Sequence, residues 1–145
     1  MKLYIGNDHA GFELKEKLKK YLSDKNYEVV DCGSYSAERA DYPDYAHKVA
    51  EGVLSDKNSL GILICGSGNG VNITANKHAG IRAALCWNAE IASLARQHND
   101  ANVMSLPARF LSDEEAVKCA EAFVQATFEG GRHLDRVKKI EGCQR

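Results

Sequence analysis

The sequence predicts an α/β protein in which a five-stranded parallel sheet lies between two layers of helices. Five short runs rich in apolar and β-branched residues alternate along the chain with longer stretches whose apolar residues recur every three or four positions. Strands that alternate with helices pair in parallel, because each helix carries the chain back to the start of the next strand. The third run, residues 62–64, is apolar at every position, which indicates a strand buried on both faces.

The first half of the chain contains three of the predicted strands, at residues 2–6, 28–31 and 62–64. Each interval between them contains an amphipathic helix. The apolar faces of these helices consist of Leu14, Leu18, Tyr21 and Leu22 in the first and Ala46, Val49, Ala50 and Val53 in the second. A polar connection precedes the second helix, and Pro43 at its end suits a first helical turn.

The second half supplies two more strands, at residues 80–85 and 102–106, and three helices. Ser112 and Glu115 form a capping-box pattern in front of the second of these helices. The apolar faces contain Ile91, Leu94, Ala95 and His98 in the first helix and Ala116, Cys119, Ala120 and Phe123 in the second. After a pair of glycines, residues 132–141 form an extra C-terminal helix with little to bury alone, which favours packing on a second subunit.

Length and composition indicate one domain over residues 1–145 with a core of ordinary size. The net charge of -1 excludes a broad polyanion-binding surface, so we expect no nucleic-acid partner. No apolar stretch approaches the length of a signal peptide or a membrane span, and no membrane partner is expected. The five cysteines lack any C-x-x-C pair, which argues against a disulfide framework and for a reducing cytoplasm. They are Cys32, Cys65, Cys86, Cys119 and Cys143.

A cysteine and a glycine-rich loop follow the central strand. Cys65 ends the strand, and the Gly-rich loop (residues 66–70) has glycine at every second position, before a helix that can start at residues 72–77. The spacing matches neither the dinucleotide nor the P-loop motif, and Val71 stands where a cysteine phosphatase needs arginine. Two interpretations stay open, an anion or oxyanion loop and a plain tight turn. Likewise Cys65 is either a small buried residue or a thiolate favoured by the helix start.

Ligands of doubly wound sheets bind at the carboxyl ends of the strands, and that rule groups several polar side chains. Asp8 and His9 follow the first strand, Cys65 ends the third, and Arg109 follows the fifth. Asp8 alone could equally be a helix cap. Together these residues make the carboxyl edge of the sheet the candidate site.

Three further residues have two open interpretations each. His98 is in line with an apolar helix face, yet its place at a helix end leaves room for a site role. Arg132 and Arg136 share one face of the last helix, and they are either solvated or a fork for a phosphate group. The other histidines and acidic residues show no metal-ligand spacing, so we expect neither a metal nor a cofactor. Those set aside include His47, His78, His133, Glu38 and Glu90.

Several motifs, in order along nearly the whole chain, resemble ribose-5-phosphate isomerase type B, a family that includes the subunits of galactose-6-phosphate isomerase. They are residues 7–11, NDHAG; 41–43, DYP; 64–70, ICGSGNG; 75–77, ANK; 80–83, GIRA; 96–102, RQHNDAN; and 129–133, EGGRH. The resemblance implies a Rossmann-like αβα sandwich. It also implies metal-free aldose-ketose isomerisation of a sugar phosphate by a homodimer or dimer of dimers whose sites are shared between subunits.

The resemblance also implies roles for individual residues. Cys65 would be the base that moves a proton between C2 and C1 through a cis-enediolate, because Val71 replaces the glutamate that one branch of the family uses. The backbone of the Gly-rich loop and the hydroxyl of Ser67 would stabilise the oxyanion. The loop residues are Gly66, Gly68, Asn69 and Gly70; His98 and Asp8 would open the furanose ring; Tyr42 and Asn99 would line the sugar site; and His9, Arg109, Arg132 and Arg136 would hold the phosphate.

We therefore predict an enzyme that interconverts D-ribose 5-phosphate and D-ribulose 5-phosphate. One alternative is an isomerase of a six-carbon sugar 6-phosphate, allose or galactose 6-phosphate. Another, from a different class, is a non-catalytic module that binds a phosphorylated ligand on the same scaffold. A binding module has no need of Cys65, Asp8 and His98 together, so their joint presence favours the enzyme.

Overall fold

A computed structural model describes residues 1–142 of the chain, and Cys143 lies outside the described residues. The elements in chain order are β1 (Lys2–Asn7), α1 (Phe12–Asp24), β2 (Glu28–Asp31), α2 (Tyr42–Ser55), β3 (Ser59–Cys65), α3 (Asn69–Ala75), β4 (Ala83–Leu85), α4 (Ala89–Asn99), β5 (Val103–Pro107), α5 (Asp113–Gln125) and α6 (Arg132–Glu141). A short 3₁₀ turn, His9–Gly11, connects β1 to α1. The expected five strands and C-terminal helix are confirmed.

The five strands form one parallel sheet in the order β2-β1-β3-β5-β4. Every residue of β3 is buried, as its apolar composition predicts for the central strand. One core cluster joins the sheet to α1, α4 and α5, and a second joins the other face to α2 and α3. The three-layer αβα sandwich is therefore confirmed. No helix among residues 1–142 is both long and apolar enough to cross a bilayer.

The sequence-based boundaries are wrong in two places close to the site. α3 begins at Asn69 rather than at residue 72, because Gly68 takes a left-handed conformation (φ 76°) that lets the helix start inside the Gly-rich loop. β4 covers Ala83–Leu85 only, since Gly80 (φ 88°) and a hydrogen bond from the Ile81 N–H to the His78 carbonyl hold the preceding residues in a turn.

A capping side chain sets the start of α5, and a glycine turn sets the start of α6. The Ser112 Oγ accepts the Glu115 N–H at 3.2 Å, as the capping-box pattern predicts for the start of α5. Gly130 and Gly131 both have positive φ, and nothing lies within 4 Å of a side chain built at either position. Glycine is therefore needed at these positions for the backbone conformation and not for lack of space. The turn reverses the chain, so that α6 packs beside the end of α4.

Candidate active site

Asp8 and Cys65 come together at the carboxyl edge of the sheet, where β1 and β3 end side by side. The Asp8 N–H donates to the carbonyl of Ile64 at 3.2 Å, so Asp8 lies beside the end of β3. Its carboxylate Oδ1 accepts the Gly11 N–H at 3.1 Å, and the predicted capping contact is therefore present. Both Asp8 and Cys65 are buried, with 8% and 5% of their surface exposed. Two groups that can exchange protons are therefore both buried at this edge of the sheet.

The Gly-rich loop leaves backbone donors free beside Cys65. Within residues 1–142, the N–H groups of Ser67 and Gly68 donate to no acceptor, while the Asn69 N–H is held by the Ser67 hydroxyl at 3.3 Å. Free amides that are fixed in position can stabilise negative charge as it develops on an oxygen atom. This arrangement supports the oxyanion interpretation of the loop over the plain turn.

Arg109 and Tyr42 approach the Gly-rich loop from opposite ends. The Arg109 N–H donates to the Gly66 carbonyl at 3.0 Å, and a Cβ at Gly66 would lie 3.1 Å from the Arg109 Nη1. A Cβ at Gly70 would lie only 2.6 Å from ring atoms of Tyr42, the first residue of α2. The two glycines therefore allow a cation and a phenol to lie against the loop backbone.

His9 completes the group at the carboxyl edge. It is exposed, and its Nδ1 lies 3.3 Å from the backbone of Ala40, in the connection that leads to Tyr42. The structure therefore brings together six parts of the predicted site from one chain. They are Asp8, His9, Tyr42, Cys65, the Gly-rich loop and Arg109.

His98 and Asn99 lie at the opposite, amino edge of the sheet. They end α4, and Arg82, which precedes β4, donates from Nε to the Asn99 carbonyl at 3.1 Å. The Arg82 N–H in turn bonds the side chain of Asn102, directly before β5. Cys65 pairs with the far end of β5. The strand Val103–Pro107 alone separates the two edges by about 13 Å at a rise of ~3.3 Å per residue, so His98 does not reach Cys65 of its own chain.

His98 belongs to a cluster that its sequence spacing does not reveal. In this His98 cluster (His98, Glu129 and His133), the Glu129 Oε1 lies 3.8 Å from the His98 Nε2 and 3.6 Å from the His133 Nε2. The two rings stack with centroids 4.3 Å apart and planes 12° apart. His98 has 39% of its side chain exposed, which rules out the fully buried core histidine that its helix position allowed.

Burial lowers the pKa of His133, and the nearby His98 and Arg132 lower it further, although Glu129 opposes them. The neutral form of His133 is therefore favoured.

Histidine spacing along the chain predicts no metal site, yet two histidine groups form in the structure. The ligand atoms of the His98 cluster lie within 4.8 Å of one another, and two histidines with a carboxylate are ligand types that zinc takes. His47 Nδ1 and His78 Nε2 lie 2.7 Å apart. Both groups join segments about thirty residues apart, so neither has a local pattern; only the four-residue step from Glu129 to His133 is a helical spacing.

The four residues predicted to hold the phosphate fall into two groups. His9 and Arg109 lie at the carboxyl edge, whereas Arg132 and Arg136 are exposed on α6, beside the His98 cluster. A cavity of about 600 Å³ lies at the same end of the molecule, lined by residues 76–79, Asn99 and the end of α6. The predicted site is therefore split between two edges of one chain.

Comparisons by sequence and by structure both find proteins that are named ribose-5-phosphate isomerase B. The family model described as Ribose/Galactose Isomerase matches residues 3–140. A protein named probable ribose-5-phosphate isomerase B from Mycoplasma pneumoniae is 49% identical over 144 residues, covering 99% of this chain and 95% of that protein.

Two solved structures match over almost the full length of both chains. The ribose-5-phosphate isomerase B of Clostridium thermocellum superposes with a TM-score of 0.96 at 45% identity, covering 98% of this chain and 96% of that one. The enzyme of Mycoplasma genitalium with bound ribulose-5-phosphate superposes with a TM-score of 0.93 at 45% identity, covering 97% and 94%.

Proposed function

The chain belongs to the ribose/galactose isomerase family, and we propose that it is an aldose-ketose isomerase that interconverts D-ribose 5-phosphate and D-ribulose 5-phosphate. The assignment of the substrate rests on one observation. This chain matches, at 45% identity over 97% of its length, an enzyme solved with ribulose-5-phosphate bound. The groups at the two edges of the sheet are those that the chemistry needs: a thiol beside free amides, a carboxyl group, an imidazole and four cationic or ionisable phosphate ligands.

Proton transfer between C2 and C1 is assigned to Cys65. In the aldose, the thiolate takes the C2 hydrogen as a proton while a proton passes from O2 to O1, which leaves a cis-enediol or enediolate. Return of the proton to C1 gives the ketose, so atoms and charge balance. The free N–H groups of Ser67 and Gly68 support this assignment, because they lie directly after Cys65, where charge on the sugar oxygen would develop.

Ring opening precedes proton transfer, because ribose 5-phosphate in water is mostly a furanose. The C1–O4 bond breaks as the O1 proton leaves and another proton reaches O4. We assign acceptance of the O1 proton to the Asp8 carboxylate and donation to O4 to His98. Asp8 is buried beside Cys65, and His98 has 39% of its side chain exposed.

The division of the predicted site between two edges of the sheet supports a site that two subunits share. His98, Asn99, Arg132 and Arg136 are at the amino edge of one chain, so we propose that they complete the carboxyl edge of a partner in a homodimer or a dimer of dimers. Large exposed apolar side chains at both edges support this contact. Phe110, next to Arg109, is 75% exposed, and Ile140 at the end of α6 is 57% exposed.

The phosphate would then be held from both subunits. His9 and Arg109 come from the chain that provides Cys65, and Arg132 and Arg136 come from its partner. Two arginines one helical turn apart can bind a phosphate group with paired hydrogen bonds. We also propose a reducing cytoplasm as the working compartment, since the four described cysteines are free thiols.

Steady-state assays without added metal test this function. Wild type and Cys65→Ala are compared on ribose 5-phosphate and on allose 6-phosphate. We expect wild type to isomerise the pentose phosphate faster and the variant to be inactive but folded. A preference for allose 6-phosphate would change the substrate only, whereas binding of both sugars without turnover would identify a binding module.

A further inference from the structure

We propose that Glu129 and His133 are positioning residues that orient His98 for opening of the furanose ring. This inference rests on the proposed function. It concerns the His98 cluster, in which a carboxylate oxygen faces the Nε2 atoms of two stacked imidazoles at 3.6 and 3.8 Å.

The backbone places Glu129 at this position. Its N–H donates to the Gln97 carbonyl at 3.0 Å, next to His98 on α4. The glycine pair that follows turns the chain sharply, and the His133 N–H bonds the Gly130 carbonyl at 3.0 Å. Glu129 and His133 are thus fixed to α4 from the far side of a turn that only glycine adopts easily.

As the acid, His98 must donate a proton to the sugar from one ring nitrogen only. The charges of the other two residues in the cluster fit this role. When the His98 imidazolium directs its Nε2–H toward Glu129, the Nδ1–H remains for O4 of the sugar. A neutral His133 can stack on that imidazolium without placing two positive charges face to face. Catalytic hydrogen bonds are often long before substrate binds, so contacts of 3.6 to 3.8 Å are compatible with this role.

A metal ion fits this geometry less well. The ring planes are only 12° apart and the ring centroids are 4.3 Å apart, so the lone pairs of the two Nε2 atoms lie in separate, nearly parallel planes that do not meet at one ion. A tetrahedral ion requires ligand lone pairs that converge from directions about 109° apart. Orientation of His98 by Glu129 requires no such convergence, because a single N–H of His98 directed toward the carboxylate is sufficient.

The test separates ring opening from proton transfer. Ribulose 5-phosphate cannot close a furanose ring, because its O5 carries the phosphate, so exchange of its C1 hydrogen with D₂O requires Cys65 but no ring opening. We compare this exchange, followed by NMR, with isomerisation of ribose 5-phosphate. For Glu129→Gln, we expect isomerisation to fall about tenfold or more while exchange stays within about twofold of wild type.

Matched variants make the result specific. His133→Asn should resemble Glu129→Gln, Glu129→Asp should recover part of the isomerisation rate, and Glu114→Gln, an exposed carboxylate on α5, should change neither rate. If Glu129→Gln loses both rates in parallel, or keeps both, the positioning role is overturned. It is also overturned if the ratio of isomerisation to exchange in wild type changes with EDTA or added Zn²⁺. If wild type itself fails to isomerise ribose 5-phosphate, the proposed function fails instead.

Discussion

The ring of Tyr42 lies against the backbone of Gly70, so close that a Cβ at position 70 would come within 2.6 Å of the ring atoms Cε2 and Cζ. Tyr42 begins α2 and Gly70 lies in the first turn of α3. The contact therefore fixes the distance between the predicted sugar-binding phenol and the loop that follows Cys65. A methyl group at position 70 is a direct probe of this distance.

For Gly70→Ala, we expect the KM for ribose 5-phosphate to rise about tenfold, because the ring of Tyr42 must move away from the sugar site. The melting temperature should change little, since Tyr42 is 41% exposed and can rotate into solvent. Steady-state kinetics and thermal unfolding measure the two effects. Gly142→Ala is the control, because the nearest atom to its Cβ is 3.6 Å away. Unchanged kinetics in Gly70→Ala would show that Tyr42 does not contact the sugar.

For Cys65→Ala, we expect kcat to fall by two to four orders of magnitude, the usual contribution of a positioned base. The fold should persist, because alanine fills most of the same buried space at the end of β3. Cys119→Ala removes an equally buried sulfur from α5, in the other core cluster, and should keep full activity. Equal activity in the two variants would exclude Cys65 as the base.

An ion pair at the carboxyl end of β2 predicts an acid-sensitive stability. Lys15 is fully buried, and its Nζ lies 3.0 Å from the Asp31 Oδ1. Burial alone would raise the pKa of Asp31, but hydrogen bonds from Lys19, from the Gly33 N–H and from Lys15 together lower it below the ordinary 3.8. The ionised carboxylate is therefore favoured in the folded state. Its contribution is complete above about pH 5 and is lost as the pH falls through the folded pKa.

For Asp31→Asn, we expect a loss of about 3 kcal/mol in unfolding free energy at pH 7, because the Lys15 charge stays buried without its partner. The difference from wild type should shrink as the pH falls below 4. Urea unfolding at several pH values measures both effects. Asp24→Asn breaks the exposed pair with Lys20 and should change the unfolding free energy by less than about 0.5 kcal/mol. A difference that persists unchanged at low pH would contradict the assignment.

Local patterns were sufficient to predict the sheet and the carboxyl-edge group. The apolar run before Cys65 and the glycines after it are adjacent in sequence, and the rule for parallel sheets places them beside Asp8. The sequence predicts the start of α3 three residues late, because no propensity reveals that Gly68 takes a left-handed conformation and begins the helix inside the loop.

Contacts between distant segments could not be read from spacing. Glu129 reaches His98 only because the glycine turn folds α6 back onto the end of α4, so the His98 cluster has no local signature. For the same reason, the sequence placed His98 with Cys65 by resemblance alone. The antiparallel direction of α4 relative to the strands separates them in one chain.

That separation leads to a complementation experiment. Cys65→Ala and His98→Asn should each be inactive as homodimers. When the two variants are denatured together, mixed in equal amounts and refolded, half of the dimers are hybrids, and each hybrid has one site with Cys65 from one chain and His98 from the other. Activity should therefore return to about a quarter of wild type if each site uses both subunits of a closed dimer. If Cys65 and His98 of one chain formed the same site, every hybrid site would carry one substitution and the mixture would stay inactive. Mixing without denaturation is the control, since it should restore activity only as fast as subunits exchange.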